Sequence, residues 1–141
     1  MGKNAVILIA ESNQDHYLII EKNLRRTGFG NEIKRFDNGK ALIESLFTPE
    51  RQSVSYILIL DINIEGLDGL EILRKIKSDS LLRKMPVVIF TSQHDQASID
   101  KCYDLGCSVY ISKPKDVTDF SDMVHKIGKF LLTVKVPRLN S

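Results

Sequence analysis

Tyr56-Ile57-Leu58-Ile59-Leu60-Asp61-Ile62-Asn63 is the stretch that decides the fold. Its first five residues are apolar on both parities, as a strand buried on both faces of a parallel sheet requires. Asp61 closes the run, and a carboxylate at the carboxyl end of such a strand lies where open α/β sheets place their ligands. Outward from this point the same figure recurs. Ala5-Val6-Ile7-Leu8-Ile9-Ala10 is followed by Glu11 and Ser12, Pro86-Val87-Val88-Ile89-Phe90 by Thr91 and Ser92, and Val109-Tyr110-Ile111-Ser112 by Lys113 and Pro114. Polar groups at four strand ends imply one shared cleft.

Stretches of helical period separate these runs, and the alternation predicts an α/β fold: a doubly wound, five-stranded parallel sheet with helices on both faces. Glu32-Ile33-Lys34-Arg35-Phe36 alternates in polarity and suits an edge, so the flavodoxin-like order 2-1-3-4-5 follows most simply. The first helix is expected after Asn13 as N-cap, with Tyr17, Ile20 and Leu24 on its inner face and Gly28 beyond its end. A second runs from about Asn38 to Leu46. Asp68-Gly69-Leu70-Glu71 reads as an acidic cap with Glu at the third helical position, opening a third helix that turns Ile72, Leu73 and Ile76 to the sheet. The fourth, roughly Gln96 to Leu105, is expected to turn Ile99, Cys102 and Tyr103 inward. The fifth carries Phe120, Met123, Val124, Ile127 and Leu131 on one stripe.

The 141 residues suit a single domain with a short apolar extension from about residue 130. The formal charge is +2 with Lys and Arg dispersed, so nothing predicts nucleic-acid binding. Met1-Gly2-Lys3-Asn4 leads straight into a short strand, and no apolar stretch is long enough to cross a bilayer, which predicts a cytoplasmic chain without a membrane partner. Cys102 and Cys107 lack metal-ligand spacing and read as reduced, packed thiols.

Glu11 and Asp61 fall at the ends of adjacent central strands, where crossovers leave for opposite faces. Two converging carboxylates repel, and a hard divalent cation relieves that repulsion. Mg²⁺ tends to take one or two carboxylates, several waters and phosphate oxygens, and the Asn63 backbone carbonyl offers a further oxygen. Lys113, Thr91 and Ser92 are expected across the cleft, with a point charge and hydroxyls suited to a phosphoryl group.

The acidic turn Glu11-Ser12-Asn13, the segment from Asp61 to Gly69, Phe90-Thr91-Ser92 and Tyr110-Ile111-Ser112-Lys113-Pro114 together resemble the receiver domain of two-component response regulators, from about Val6 to Ile127. The resemblance implies a phospho-acceptor rather than an enzyme. Asp61 would take a phosphoryl group from a sensor histidine kinase or phosphotransfer protein, with Mg²⁺ as cofactor and Lys113 paired to the phosphate. Thr91 and Tyr110 would then switch and alter the surface around the fourth helix, last strand and fifth helix. It also implies a cis bond before Pro114. His16 and His94 are assigned no catalytic role.

The chain departs from the family at Ser12, where a second acid usually ligates the metal directly. Ser12 remains as a weak ligand or one acting through water, and Glu11 as the acid that usually acts through water. This departure keeps a second reading open, a pseudo-receiver that signals without phosphorylation. A flavodoxin-like cofactor binder is disfavoured, since Glu11 repels a phosphate that arrives without metal. The stretch Ser78 to Pro86 and the tail Phe130 to Pro137 are similar to bacterial stand-alone receivers of the bacteriophytochrome-associated kind. Leu132 falls off the inner stripe, Phe130 lies at its margin and Val134 follows in the tail; the three are expected to contribute to a symmetric homodimer.

Overall fold

The computed structural model of the chain describes residues 1–2, 4–48 and 54–139. Strands β1 (Ala5–Ala10), β2 (Ile33–Phe36), β3 (Ser55–Leu60), β4 (Val87–Thr91) and β5 (Val109–Ser112) form one parallel sheet in the order β2-β1-β3-β4-β5, the expected doubly wound order. Helices α1 (Gln14–Arg25), α2 (Gly39–Leu46), α3 (Gly69–Ser78), α4 (Gln96–Leu105) and α5 (Val117–Leu131) cover its two faces, and a 3₁₀ turn at Leu82–Lys84 precedes β4.

Strand parity sorts the core. Ile7 and Ile9 of β1, Ile57 and Ile59 of β3, and Val88 and Phe90 of β4 face α1 and α5. Leu8, Leu58, Leu60, Val87 and Ile89 face α2, α3 and α4. Both parities of the three central strands are therefore apolar, because period-2 alternation leaves neither face to solvent. β1 and β3 pair from Ala5↔Ser55 to Ala10↔Leu60, so Glu11 and Asp61 emerge side by side. The connection after β1 passes to the α1 side and that after β3 to the α3 side, which opens the cleft between them.

Caps fix where the helices begin. Asn13, Asn38, Asp68, Asp95 and Asp116 each accept from a backbone N–H of their own helix's first turn. At α3 the reciprocal half of the expected capping box is replaced: the Glu71 carboxylate takes Arg74 Nη1 at 2.6 Å, because an i,i+3 guanidinium is the stronger donor.

Two expectations about helix faces are corrected. Tyr103 points outward, 48% exposed, while its hydroxyl accepts the edge-strand N–H of Tyr110 at 3.1 Å. An outward tyrosine thus satisfies a backbone donor that the edge of the sheet would leave to water. The tail after α5 folds back onto the domain. Val134 and Val136 pack against the α1–α5 side of the core, and Leu139 is fully buried, with its N–H on Val54 O at 2.8 Å. Only Phe130 and Leu132 of the three expected interface residues remain exposed, at 64% and 39%.

Candidate functional site

Glu11, Asp61, Thr91 and Lys113 are the buried polar groups at the carboxyl end of the sheet. Each is delivered by a strand end. The Asp61 N–H donates to Ala10 O at 3.1 Å and the Glu11 N–H to Phe36 O at 3.0 Å, so both acids are fixed by the last rungs of the ladder. The Lys113 N–H, bonded to Thr91 O at 2.7 Å, does the same for the ammonium.

The Lys113 side chain does not stand across the cleft from the acids. Its Nζ donates to Asp61 Oδ2 at 2.7 Å and to Glu11 Oε1, with a third contact to His16 Nδ1 at 3.0 Å. One ammonium between two carboxylates relieves their mutual repulsion, and burial makes that attraction stronger than at the surface. The remaining carboxylate oxygens bond the backbone: Asp61 Oδ1 accepts Asn63 N–H at 2.9 Å and Glu11 Oε2 accepts Asn13 N–H at 3.1 Å. All peptide bonds among the described residues are trans, so Lys113 is oriented by these partners rather than by a cis bond before Pro114.

Ser12 is engaged elsewhere. Its Oγ accepts the Glu65 N–H at 2.8 Å, tying the loop after β1 to the loop after β3. Among the described residues no cluster of three or more His, Cys, Asp or Glu side chains has metal-binding geometry. The oxygen donors present suit a hard cation all the same: two buried carboxylates held round one ammonium, and an Asn63 carbonyl with no hydrogen bond among the described residues.

Thr91 is fully buried, and its Oγ1 lies 3.4 Å from Asn63 Nδ2. Asn63 Oδ1 in turn accepts from Gln93 Nε2 at 2.9 Å. The Gln93 carbonyl accepts the Tyr110 hydroxyl at 2.8 Å, so a chain of polar contacts runs from the loop that carries Asp61 to the edge strand. Burial, followed by nearby thiols and acids, pushes the Tyr110 phenol up to about 12. Tyr110 therefore stays a hydrogen-bond donor across the physiological range.

Gln93, Arg35 and His16 had no sequence signal strong enough to mark them. Arg35 Nη2 donates to Glu11 O at 3.1 Å and its guanidinium lies 4.8 Å from the Tyr17 ring centre, bracing the acidic turn from β2. His16, assigned no catalytic role from the sequence, lines a cavity of about 570 Å³ with Asp15, Ser92, His94 and Lys113. Asn–Gln and Lys–His contacts between distant loops follow from topology, which local periodicity does not encode.

The sequence matches the response regulator receiver domain over residues 7–125. It is 30% identical over 129 residues to the probable methanogenesis regulatory protein FilR2 of Methanothrix harundinacea, covering 90% of this chain and 83% of that one. It is 28% identical to response regulator Rcp1 of Synechocystis, covering 94% and 92% of the two chains. Among solved structures, a response regulator receiver domain from Rhodospirillum rubrum superposes with TM-score 0.93 at 34% identity, over 96% of this chain and 99% of that one. The Mn²⁺-bound form of Rcp1 gives 0.86 at 28%, over 94% and 98%. The phosphorylated cyanobacterial phytochrome response regulator RcpA gives 0.83 at 26%, over 94% and 97%. Since the match runs unbroken from β1 into α5, the chain belongs to the receiver domains of the two-component response regulators.

Proposed function

We propose that the chain is one phospho-accepting unit that takes a phosphoryl group on Asp61 from a histidine kinase or phosphotransfer protein. The observation that carries this reading is the buried Asp61 carboxylate held at 2.7 Å by Lys113 Nζ, with Glu11 on the same ammonium. In the transfer, an Asp61 oxygen forms the new P–O bond as the donor's P–N bond breaks, and the electron pair of that bond stays with the donor imidazole. Little covalent assistance is needed, so the protein's contribution is positioning and charge neutralisation. Lys113 supplies the fixed positive charge beside the incoming phosphoryl oxygens. Glu11, Asp61 and the Asn63 carbonyl are the groups that would hold Mg²⁺, which when bound neutralises carboxylate and phosphoryl charge. Mn²⁺ in relative Rcp1 and phosphorylation in relative RcpA support this reading.

Thr91 and Tyr110 carry the response. The Thr91 hydroxyl turns to the phosphoryl group, and the change passes through Asn63 and Gln93 to Tyr110 and the α4–β5–α5 surface. We place the chain in the cytoplasm, where the donor kinases act, and assign it a weak homodimer through the end of α5. Among the described residues no helix is long and apolar enough to cross a membrane.

The test is intact-protein mass after incubation with acetyl phosphate and Mg²⁺. One phosphoryl addition is expected, absent in Asp61→Asn and absent without a divalent cation. Equal labelling of wild type and Asp61→Asn overturns the assignment. No labelling of a folded wild type returns the pseudo-receiver reading that Ser12 motivates.

A further inference from the structure

We propose that His16 is a positioning residue for phosphoryl transfer, acting through Lys113; the inference rests on phospho-acceptance by Asp61 and names a residue of this chain that serves it. Lys113 Nζ has three hydrogens and no lone pair, so in its 3.0 Å contact with His16 Nδ1 the imidazole must be the acceptor. An accepting Nδ1 leaves the ring's proton on Nε2. Glu11 Oε1 and Asp61 Oδ2 take the other two hydrogens. Three acceptors around one ammonium leave it no freedom to roll about its last bond.

The histidine is itself held in place. Its backbone N–H donates to the Asn13 side chain at 3.0 Å in the cap of α1, and its ring lies 5.1 Å from that of Phe120 on α5. Two helices that cover the same face of the sheet thus aim one nitrogen at the ammonium. The effect is directional. When an oxygen of Asp61 becomes the bridge to phosphorus, one hydrogen of Lys113 must turn to a phosphoryl oxygen. Glu11 and His16 retain the other two, so the charge stays where negative charge develops. Without the imidazole, the third hydrogen faces the cavity of about 570 Å³ that His16 lines, and the ammonium loses one of its three anchors.

Asparagine is the diagnostic replacement, since its Oδ1 reaches about as far as imidazole Nδ1 and offers an acceptor without a titrating ring. Two readouts separate this proposal from the reading beneath it. In the unphosphorylated protein, ¹⁵N-resolved NMR of the imidazole is expected to show the Nε2–H tautomer, and Lys113→Met to abolish that preference. In the presence of Mg²⁺, acetyl phosphate labelling followed by intact mass is expected to slow roughly tenfold or more in His16→Ala, the factor that a hydrogen bond to a charged group is worth. His16→Asn should recover most of the rate. Labelling of His16→Ala at the wild-type rate overturns the proposal, as does a His16→Asn variant that is folded by NMR yet no faster than His16→Ala. A protonated Nδ1 in a chain that labels overturns the role of His16 alone. A wild type that shows the expected tautomer but never labels overturns phospho-acceptance, and with it the step that His16 would serve.

Discussion

A lysine wedged between two buried acids makes opposite predictions for its partners. Removing Lys113 leaves Glu11 and Asp61 facing one another without compensation, whereas Asp61→Asn removes one attraction and one repulsion together. We expect Lys113→Met, which keeps the apolar stem, to cost ~3 to 5 kcal/mol in urea unfolding, as breaking a buried pair from one side does. For Asp61→Asn the two effects offset, and the expected change is under ~1 kcal/mol. The reverse ranking would show that the acids, not the ammonium, set the electrostatics of the cleft. Ser12 permits a second test. Its hydroxyl accepts the Glu65 N–H, a bond that a carboxylate can also accept, so Ser12→Asp adds a charged oxygen without releasing the loop. Mg²⁺ affinity measured by titration should rise in Ser12→Asp, and the gain should shrink with added salt; an unchanged or weaker affinity would place the metal's ligands elsewhere. Titration of the switch tyrosine gives a third expectation. Burial raises Tyr110 from 10.0 to about 12, so the fold disfavours its anion. A raised folded-state value contributes stability that is complete below 10.0 and is lost as pH rises through about 12. Stability should therefore fall more steeply in wild type than in Tyr110→Phe across that interval, measured as urea midpoints; parallel curves would refute the burial of the phenol. Asp61 and Lys113 were legible because each follows an apolar strand directly. His16 and Gln93 were not, because each acts on a residue brought near only by the crossovers.

Element boundaries followed from periodicity and caps, since each of α1 to α5 begins at an Asn or Asp that accepts one of its orphan amides. What periodicity did not convey was orientation at the margins. Tyr103 has the spacing of an inward residue, but the unpaired N–H of an edge strand draws its hydroxyl outward. Close approach between elements was equally hidden, and two glycines separate its consequences. A Cβ on Gly69 would sit 2.3 Å from Ile62 Cα, where α3 starts against the end of β3. Backbone cannot yield as a side chain does, so Gly69→Ala should lie at or above the upper end of the ~1 to 3 kcal/mol typical of overpacking. Gly128 lies within α5, and its Cβ would meet Thr27 Cγ2 at 2.8 Å, a side-chain methyl where Gly69 meets backbone. Alanine regains ~0.5 to 1 kcal/mol over glycine in a helix interior, which offsets much of that contact. Thermal melting should show a large drop for Gly69→Ala and a small change of either sign for Gly128→Ala. Comparable losses would mean that the α1–α5 packing is as unyielding as the loop beneath α3.

At the scale of the whole molecule, the tail changes what surface is left for a partner. Its apolar residues were visible in the sequence, but their destination was not, because Leu139 is buried and bridged to Val54, more than eighty residues earlier in the chain. Leu139→Ala should therefore cost ~2 to 5 kcal/mol, as for any large core residue cut to a methyl. With Val134 and Val136 also packed inward in part, the large exposed hydrophobic side chains at this end are, among the described residues, Phe130 and Leu132. A symmetric pairing in which this patch meets itself needs neighbours as well, because two side chains supply far less than the ~800 Å² per partner of a standard interface. Association through them is expected to be weak and concentration-dependent. Sedimentation equilibrium should show a dimer that dissociates on dilution, strengthened by beryllofluoride if the α4–β5–α5 surface changes with Asp61, and lost in Leu132→Asp. Because Leu132 is exposed, that substitution should leave the melting temperature nearly unchanged, whereas Leu139→Ala should lower it. A concentration-independent monomer with and without beryllofluoride would reject the pairing, and a dimer indifferent to Leu132→Asp would move it to another face.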